Sequence, residues 1–424
     1  MNINREFHRH LFNLRMIRTR YRQAKLLRSL QKRDRIKVVF FAANLSMWKY
    51  QSLYEALSQH DCFDLYIVLS PFHHLSRDQQ EQDVNQLRDF FQAKGIPFID
   101  YNLKGMVQYD VREKINPDIL FYSQPKAKLY HPLHNASNFE DKLFCYYPYA
   151  FWTGTIPWTY NTRLQNLAWK LFYSTELHRQ EAVRHSFRKD LNVEVVGYPD
   201  ADLFMNYQPT DEVVWKKQDR PKKRLIWAPH CAIPSHHHRK HVATVSNFLW
   251  MADLMLSIAD KYKDVLQIAF KPHPFLISRL YSHTGWGKER TNAYYQQWAE
   301  GENTQLEQTG FVDLFMTSDA MIHDCFSFLV EYHYTQKPVM YVQSHDHEHV
   351  DQLNALGKQA LAVHYQGKDE AALIDFIERV VLAGEDPMRP QRKQFYQENL
   401  IPPMGKSVTQ ATVEIIMKGL KKFE

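Results

Sequence analysis

From Ile36 onward, the chain alternates short uninterrupted apolar runs with longer segments of mixed polarity. Runs such as KVVFFAA and DLYIVLS leave no polar position to face solvent. Strands of that kind are buried on both sides, as in a parallel sheet flanked by helices. The pattern predicts strands at 36–43, 63–70, 97–101, 118–123, 143–149, 171–174 and 193–197, with helices at 50–59 and 77–94 between them. A polar, lysine-rich break follows at 208–223. The alternation then restarts, with strands at 224–229, 266–270, 320–323, 338–342 and 361–363 and a helix at 245–262. Two such series divided by a polar break predict an α/β fold of two doubly wound, Rossmann-like domains.

The two ends of the chain read differently. Phe7, Leu11, Leu14, Ile17, Tyr21, Ala24 and Leu27 recur at steps of three and four, which places them on one stripe of a helix. Residues 408–420 form a second amphipathic pattern. The predicted organisation is a basic helix over 1–35, a first domain over 36–207, a second over 221–400 and a C-terminal helix over 401–424.

Charge sharpens the reading of the first segment. The chain of 424 residues carries a net +6, yet residues 1–35 hold eleven Arg or Lys against Glu6 and Asp34, leaving −3 for the rest. A basic amphipathic helix suits the interface of an anionic membrane, with Arg15, Arg18, Arg22 and Lys25 near the headgroups. The same pattern also suits packing on the protein's own body or nucleic acid. No zinc-finger, RNP or helix-turn-helix signature favours nucleic acid, so none is expected as a partner. No run of about 18 uncharged apolar residues occurs, and no cleavable signal peptide is evident. Glycine is scarce, at 13 residues, and both G-x-G-x-x-G and G-x-x-x-x-G-K-[ST] are missing. Four widely spaced cysteines form no C-x-x-C pair, which fits a reducing cytoplasm.

Chemistry-bearing residues gather where predicted strands end. LQIAFKPHPFL (266–276) ends a buried strand at Lys271 and sets His273 between two prolines that stiffen the chain. An imidazole held there can donate to a phosphate oxygen, or simply to a backbone carbonyl. In FVDLFMTSDAMIHDCFSFLVEYHYTQKPVMYV (311–342), Asp324 to Ser327 form the turn between a short strand and a helix over 328–334. Ser327 stands at the helix start, where a phosphate or an ordinary cap is at home. Glu331 follows one turn on, either exposed or accepting from ribose hydroxyls. RLIWAPHCAIPSHHHRKH (224–241) brings His230 and His238 to a third strand end. Consecutive histidines cannot all face one ion, so no metal is assigned there, and anion binding or acid–base work competes with a solvated loop. The run His345-Asp346-His347-Glu348-His349 lacks the H-E-x-x-H spacing and reads as a polar loop. LFCYYPYAFWTGTIPWTYN (143–161) supplies aromatics that either form core or line an acceptor groove.

In the order VVGYPDADLF, LIWAPH, KPHP, SDAMIHDCFSFLVEYHYTQKPVMYV, these segments resemble the CDP-glycerol glycerophosphotransferase family of teichoic acid and capsule polyol-phosphate transferases. The resemblance spans roughly 143–345. It implies a GT-B fold and transfer of glycerol phosphate or a related polyol phosphate from CDP-glycerol or CDP-ribitol to a hydroxyl of a glycan or polyol-phosphate acceptor, with release of CMP. It also implies peripheral attachment to the inner face of the cytoplasmic membrane. By the same resemblance Lys271, His273, Asp324, Ser327 and Glu331 bind the donor. His230, His238 and His273 are the catalytic candidates, with His230 or His238 as base and His273 as the electrostatic group. Phe326 replaces the first of the family's paired serines, and the W-H-G element of the known polymerases has no counterpart here; the corresponding region reads YYPYAFWTG. No cofactor is required by the sequence. The competing expectations are a GT-B nucleotide-sugar glycosyltransferase and a non-catalytic membrane-surface protein.

Overall fold

The computed structural model describes residues 3–100, 109–155, 159–209, 214–233, 246–308, 310–326, 328–343 and 351–422. They divide into two compact units. The first comprises Met1–Phe151, Ile156–Asp202 and Pro402–Glu424, and the second Trp152–Thr155 and Leu203–Ile401.

In the first unit, β1 (Ile36–Ala42), β2 (Phe63–Leu69), β3 (Ile119–Tyr122), β4 (Leu143–Tyr146), β5 (Lys170–Tyr173) and β6 (Val193–Val195) form one sheet in the order β2-β1-β3-β4-β5-β6. All pairs are parallel, and Phe40 lies opposite Ile67 on one side and Phe121 on the other. The apolar runs behave as patterned: Val38 to Ala42 are buried throughout. The sheet reverses its direction of growth between β1 and β3. The run 97–101 contributes only a bridge from Ile99 to Val68, and residue 101 lies outside the described residues.

Two of the aromatics after β4, Tyr147 and Phe151, are core of this unit. Tyr147 is buried against Tyr50 and Phe172, and Phe151 stacks on Tyr198 at 4.4 Å. The C-terminal helix Val408–Leu420 joins the same unit. Both carboxylate oxygens of Asp202 accept from its first backbone amides, Val408 N at 2.8 Å and Thr409 N at 2.9 Å. Gly197, at φ +108°, lets the chain pass here, since a Cβ would stand 2.6 Å from Val408 Cγ2.

The N-terminal helix Ile3–Leu30 packs with a face other than the predicted stripe. Thr19, Gln23 and Leu30 are buried, and Gln23 Nε2 donates to Lys142 O and Leu167 O at 3.2 and 3.0 Å. Leu11, Leu14, Ile17 and Tyr21 instead stand 47–70 % exposed. At 3.6 residues per turn, Leu14 and Tyr21 lie opposite Thr19 and Gln23. The side chain of Phe7 lies outside the described residues.

In the second unit, β7 (Lys223–Ala228), β8 (Leu266–Phe270), β9 (Thr304–Leu306), β10 (Ala320–His323), β11 (Val339–Val342) and β12 (Tyr365–Gly367) form a sheet ordered β12-β11-β10-β7-β8-β9. Again all pairs are parallel. Its core joins Trp227, Phe248, Phe270 and Trp298 across sheet and helices. The predicted strand 361–363 is corrected: residues 361–362 close the helix Ala355–Ala362, whose Asn354 side chain accepts from Gly357 N at 2.9 Å. The strand comes later, at Tyr365–Gly367. β9 and β12 are edge strands of three residues each, too short and polar to show in an apolar pattern.

Candidate functional site

The second sheet turns back on its order between β7 and β10, with β8 beside β7. In open parallel sheets, ligands settle outside the carboxyl ends of the strands at such a switch point. Three loops meet there: Pro229-His230-Cys231 after β7, Lys271-Pro272-His273 after β8, and Asp324-Cys325-Phe326 after β10.

Hydrogen bonds along the backbone fix these loops to one another. Lys271 N donates to Trp227 O at 2.8 Å, and His273 N to Pro229 O at 3.0 Å. The prolines keep the chain extended where the ladder ends, which delivers both histidines to the same spot. Asp324 completes the assembly. Its Oδ1 accepts from His230 N at 2.6 Å and its Oδ2 from Asn247 N at 2.5 Å, while Asn247 Nδ2 reaches Val342 O at 2.9 Å. Both oxygens of Asp324 thus face its own chain, and the side chain is buried. It is a positioning residue for three loops. Burial raises its carboxyl to about 6, against the pull of the backbone amides of Asn247 and His230.

The two imidazoles meet edge to face, with ring centres 5.1 Å apart. His230 Nδ1 accepts from Ala232 N at 3.1 Å, and His273 Nδ1 from Phe275 N at 3.2 Å. A ring nitrogen that accepts carries no proton, so each neutral ring holds its proton on Nε2. Burial lowers His273 to about 4, and burial together with the neighbouring His273 lowers His230 to about 3. The pair is therefore neutral near pH 7 and offers two N–H donors side by side. Such a pair suits an oxyanion, whose charge would in turn favour the protonated rings. It suits proton abstraction poorly, because the Nε2 of His230 is already protonated.

Cys231 lies beside them, its thiol pushed up to about 11 by burial, with Arg279 pulling the other way. Donor atoms of His230, Cys231 and His273 all lie within 4.8 Å of one another, close enough to gather round an ion. Ligation through Nε2 needs that atom's lone pair and leaves Nδ1 to donate to a second shell. Here both Nδ1 atoms accept, the reverse of that requirement, so the residues present do not fit a metal.

The remaining predicted residues divide. Lys271 and Glu331 are both buried, at 8 and 4 % exposure, so Glu331 is not a solvated helix residue. The Lys271 charge counts among the influences on Glu307, after burial and a Gln305 hydrogen bond. The helix expected over 328–334 is one α-turn, Phe328–Glu331, followed by a 3₁₀ turn, Tyr332–Thr335. Ser327 and His238 lie outside the described residues, as does the run 345–349. Asn247 escaped the sequence reading. The sign was there: an Asn directly before the apolar helix Phe248–Lys261. Also unforeseen is a buried chain in which His323 Nε2 meets His364 Nε2 at 3.1 Å and His364 Nδ1 meets His333 Nε2 at 3.3 Å.

Two parallel six-stranded sheets with helices make this a GT-B-type α/β protein. Residues 154–355 match the CDP-glycerol:poly(glycerophosphate) glycerophosphotransferase family, so the resemblance carried by the motifs is shown over that stretch. No curated protein matches the sequence. Among solved structures, a variant of the wall teichoic acid polymerase TagF is similar with a TM-score of 0.58 and 11% identity, over 99% of this chain and 98% of that one. The S. aureus MnaA–UDP structure follows the chain with a TM-score of 0.56 and 13% identity, over 92% and 98%. UDP-GlcNAc 2-epimerase from Neisseria meningitidis, bound to UDP-GlcNAc, gives 0.53 and 15%, over 91% and 100%. At such identities the likeness is one of fold.

Proposed function

We propose that the chain transfers glycerol phosphate from CDP-glycerol to a hydroxyl of a polymeric acceptor and releases CMP. The observation that carries this reading is the pair of Nε2–H donors of His230 and His273 at the switch point, inside the segment that matches the family. Transfer of a phosphoryl group depends on neutralising charge and aligning attack. The acceptor oxygen bonds to the glycerol-bearing phosphorus, the phosphorus–oxygen bond to CMP breaks, CMP departs with the electron pair, and the acceptor's hydroxyl proton passes to water or to the departing phosphate. Donors aimed at the diphosphate stabilise the charge that grows on the leaving group. Lys271 and Glu331 belong to the donor side by the family resemblance, and ribitol phosphate is the related cargo. An anionic membrane on the cytoplasmic side is the proposed location. It is supported by the exposed Leu14, Ile17 and Tyr21 beside Arg18 and Lys25. No helix among the described residues is long and apolar enough to cross a membrane.

The deciding experiment is release of CMP by purified protein given CDP-glycerol and a glycerol-phosphate oligomer. Glycerol-phosphate addition to the oligomer, read by mass, is the expected result. Turnover of UDP-sugars with CDP-glycerol left intact would overturn the reading.

A further inference from the structure

The first unit holds a second concentration of cationic and hydrogen-donating side chains, which the donor site does not use. β2 runs into Ser70-Pro71-Phe72-His73-His74, and β3 into Ser123-Gln124-Pro125-Lys126-Ala127-Lys128. These strands flank β1, where the first sheet reverses direction, so both loops lie at that sheet's own switch point.

The floor beneath them is rigid. His73 N donates to Leu129 O at 2.9 Å and joins the two loops. Fully buried His134 meets Ser70 Oγ through Nδ1 at 2.8 Å and Tyr109 O through Nε2 at 2.9 Å, while its carbonyl accepts from Tyr122 OH at 2.9 Å. Tyr130 packs its ring edge-on to Phe72 and Tyr122. On this floor opens a concavity of about 360 Å³, with His73, Lys128, Tyr130, Ser137 and Asn138 among its lining. That volume lies in the range of small-ligand sites.

The chemistry of the lining is one-sided. The lining carries the Lys128 ammonium and the His73 imidazole; the Ser137 hydroxyl donates to Asn135 Oδ1 at 2.7 Å and the Asn138 amide to Pro132 O at 2.6 Å, and among the described residues no carboxylate lines the space. Neither loop, over 70–75 or 123–138, contains an acidic residue. Glu140, the next acid along, is held by Arg15 and Arg163. The His131 ring stands 5.8 Å from that of His73, and its Nδ1 accepts from Leu133 N at 3.2 Å, which keeps its proton on Nε2. Burial, then the charge of His73, lowers the His131 pKa. An ammonium and neighbouring imidazoles, gathered where neither loop carries an acid, suit an anion.

We infer that this concavity binds a phosphodiester group of the acceptor, a polyol-phosphate chain, with Lys128 and His73 as its principal contacts. The inference rests on the transferase reading only for the identity of the acceptor; the anion site itself stands on the first unit alone.

The test measures binding of a short synthetic glycerol-phosphate oligomer by calorimetry, without donor, to the full chain and to Lys128→Ala, Lys128→Glu, Lys128→Arg and His73→Ala. The alanine variants are expected to weaken binding about fivefold to tenfold, the glutamate more, and the arginine to restore it. In turnover, the acceptor KM rises with them while the KM for CDP-glycerol stays unchanged. Undiminished oligomer affinity in Lys128→Glu overturns the inference, as does equal affinity for an uncharged glycerol oligomer. Loss of binding to anionic vesicles with oligomer binding retained also overturns it, by assigning these side chains to lipid headgroups. Oligomer binding that depends on Lys128 in a protein that never turns over CDP-glycerol supports the anion site and removes the transferase reading instead.

Discussion

His230 and His273 owe their chemistry to what their Nδ1 atoms accept. A backbone N–H on each fixes the tautomer, so the side chain's role is decided by residues two positions on, Ala232 and Phe275. His273→Ala removes a donor but leaves its backbone bond to Pro229 in place. CMP release from CDP-glycerol should therefore fall about 10²–10³-fold, the loss typical of one preorganised donor to a charged transition state, while the far-UV circular dichroism stays that of the parent protein. Turnover within a few-fold of the parent protein would remove His273 from the donor site. At this scale the sequence was readable in part. K-P-H-P and the Asp324 turn were recognisable because proline and a strand end dictate local geometry. The direction of Asp324 was not, because its partners, His230 N and Asn247 N, come from 94 and 77 residues away.

Among the elements, the strands were the most legible, since a run such as VVFFA can only be buried. β9 and β12 were not, because edge strands of three residues need no apolar run. The N-terminal helix shows why periodicity alone misassigns a face. Thr19 and Gln23 look polar, yet Gln23 is buried because two carbonyls satisfy its amide. That leaves Leu14, Ile17 and Tyr21 in solvent, while Arg15 bonds to Glu140 of the body rather than standing with Arg18 and Lys25. Replacing Leu14, Ile17 and Tyr21 together by serine removes this apolar row without touching the packed face. Sedimentation with anionic vesicles should drop by about tenfold or more, with transfer to a soluble acceptor unchanged. Equal sedimentation of variant and parent would contradict attachment through this face.

Across the whole molecule, the second unit contains five histidines kept neutral by burial: His230, His273, His323, His333 and His364. In the unfolded chain each takes up a proton near pH 6.5. In the native state His273 and His364 do so only near about 4. The unfolded state thus binds more protons between these values, and stability is lost as pH falls from about 6.5 toward 4. Denaturant unfolding at pH 7, 6 and 5 should show that decline, and His364→Gln should lessen its steepness by about one proton. An unchanged steepness in His364→Gln would show that this ring does not contribute.

The return of the chain to its first unit has a consequence for biosynthesis. Helix Val408–Leu420 is clamped by Asp202, yet the whole stretch Leu203–Ile401 is translated between them. The first unit therefore stays incomplete until the whole of the second has been synthesised. A chain cut short before Pro402 leaves the ground beside Gly197 uncovered, whatever the state of its second half.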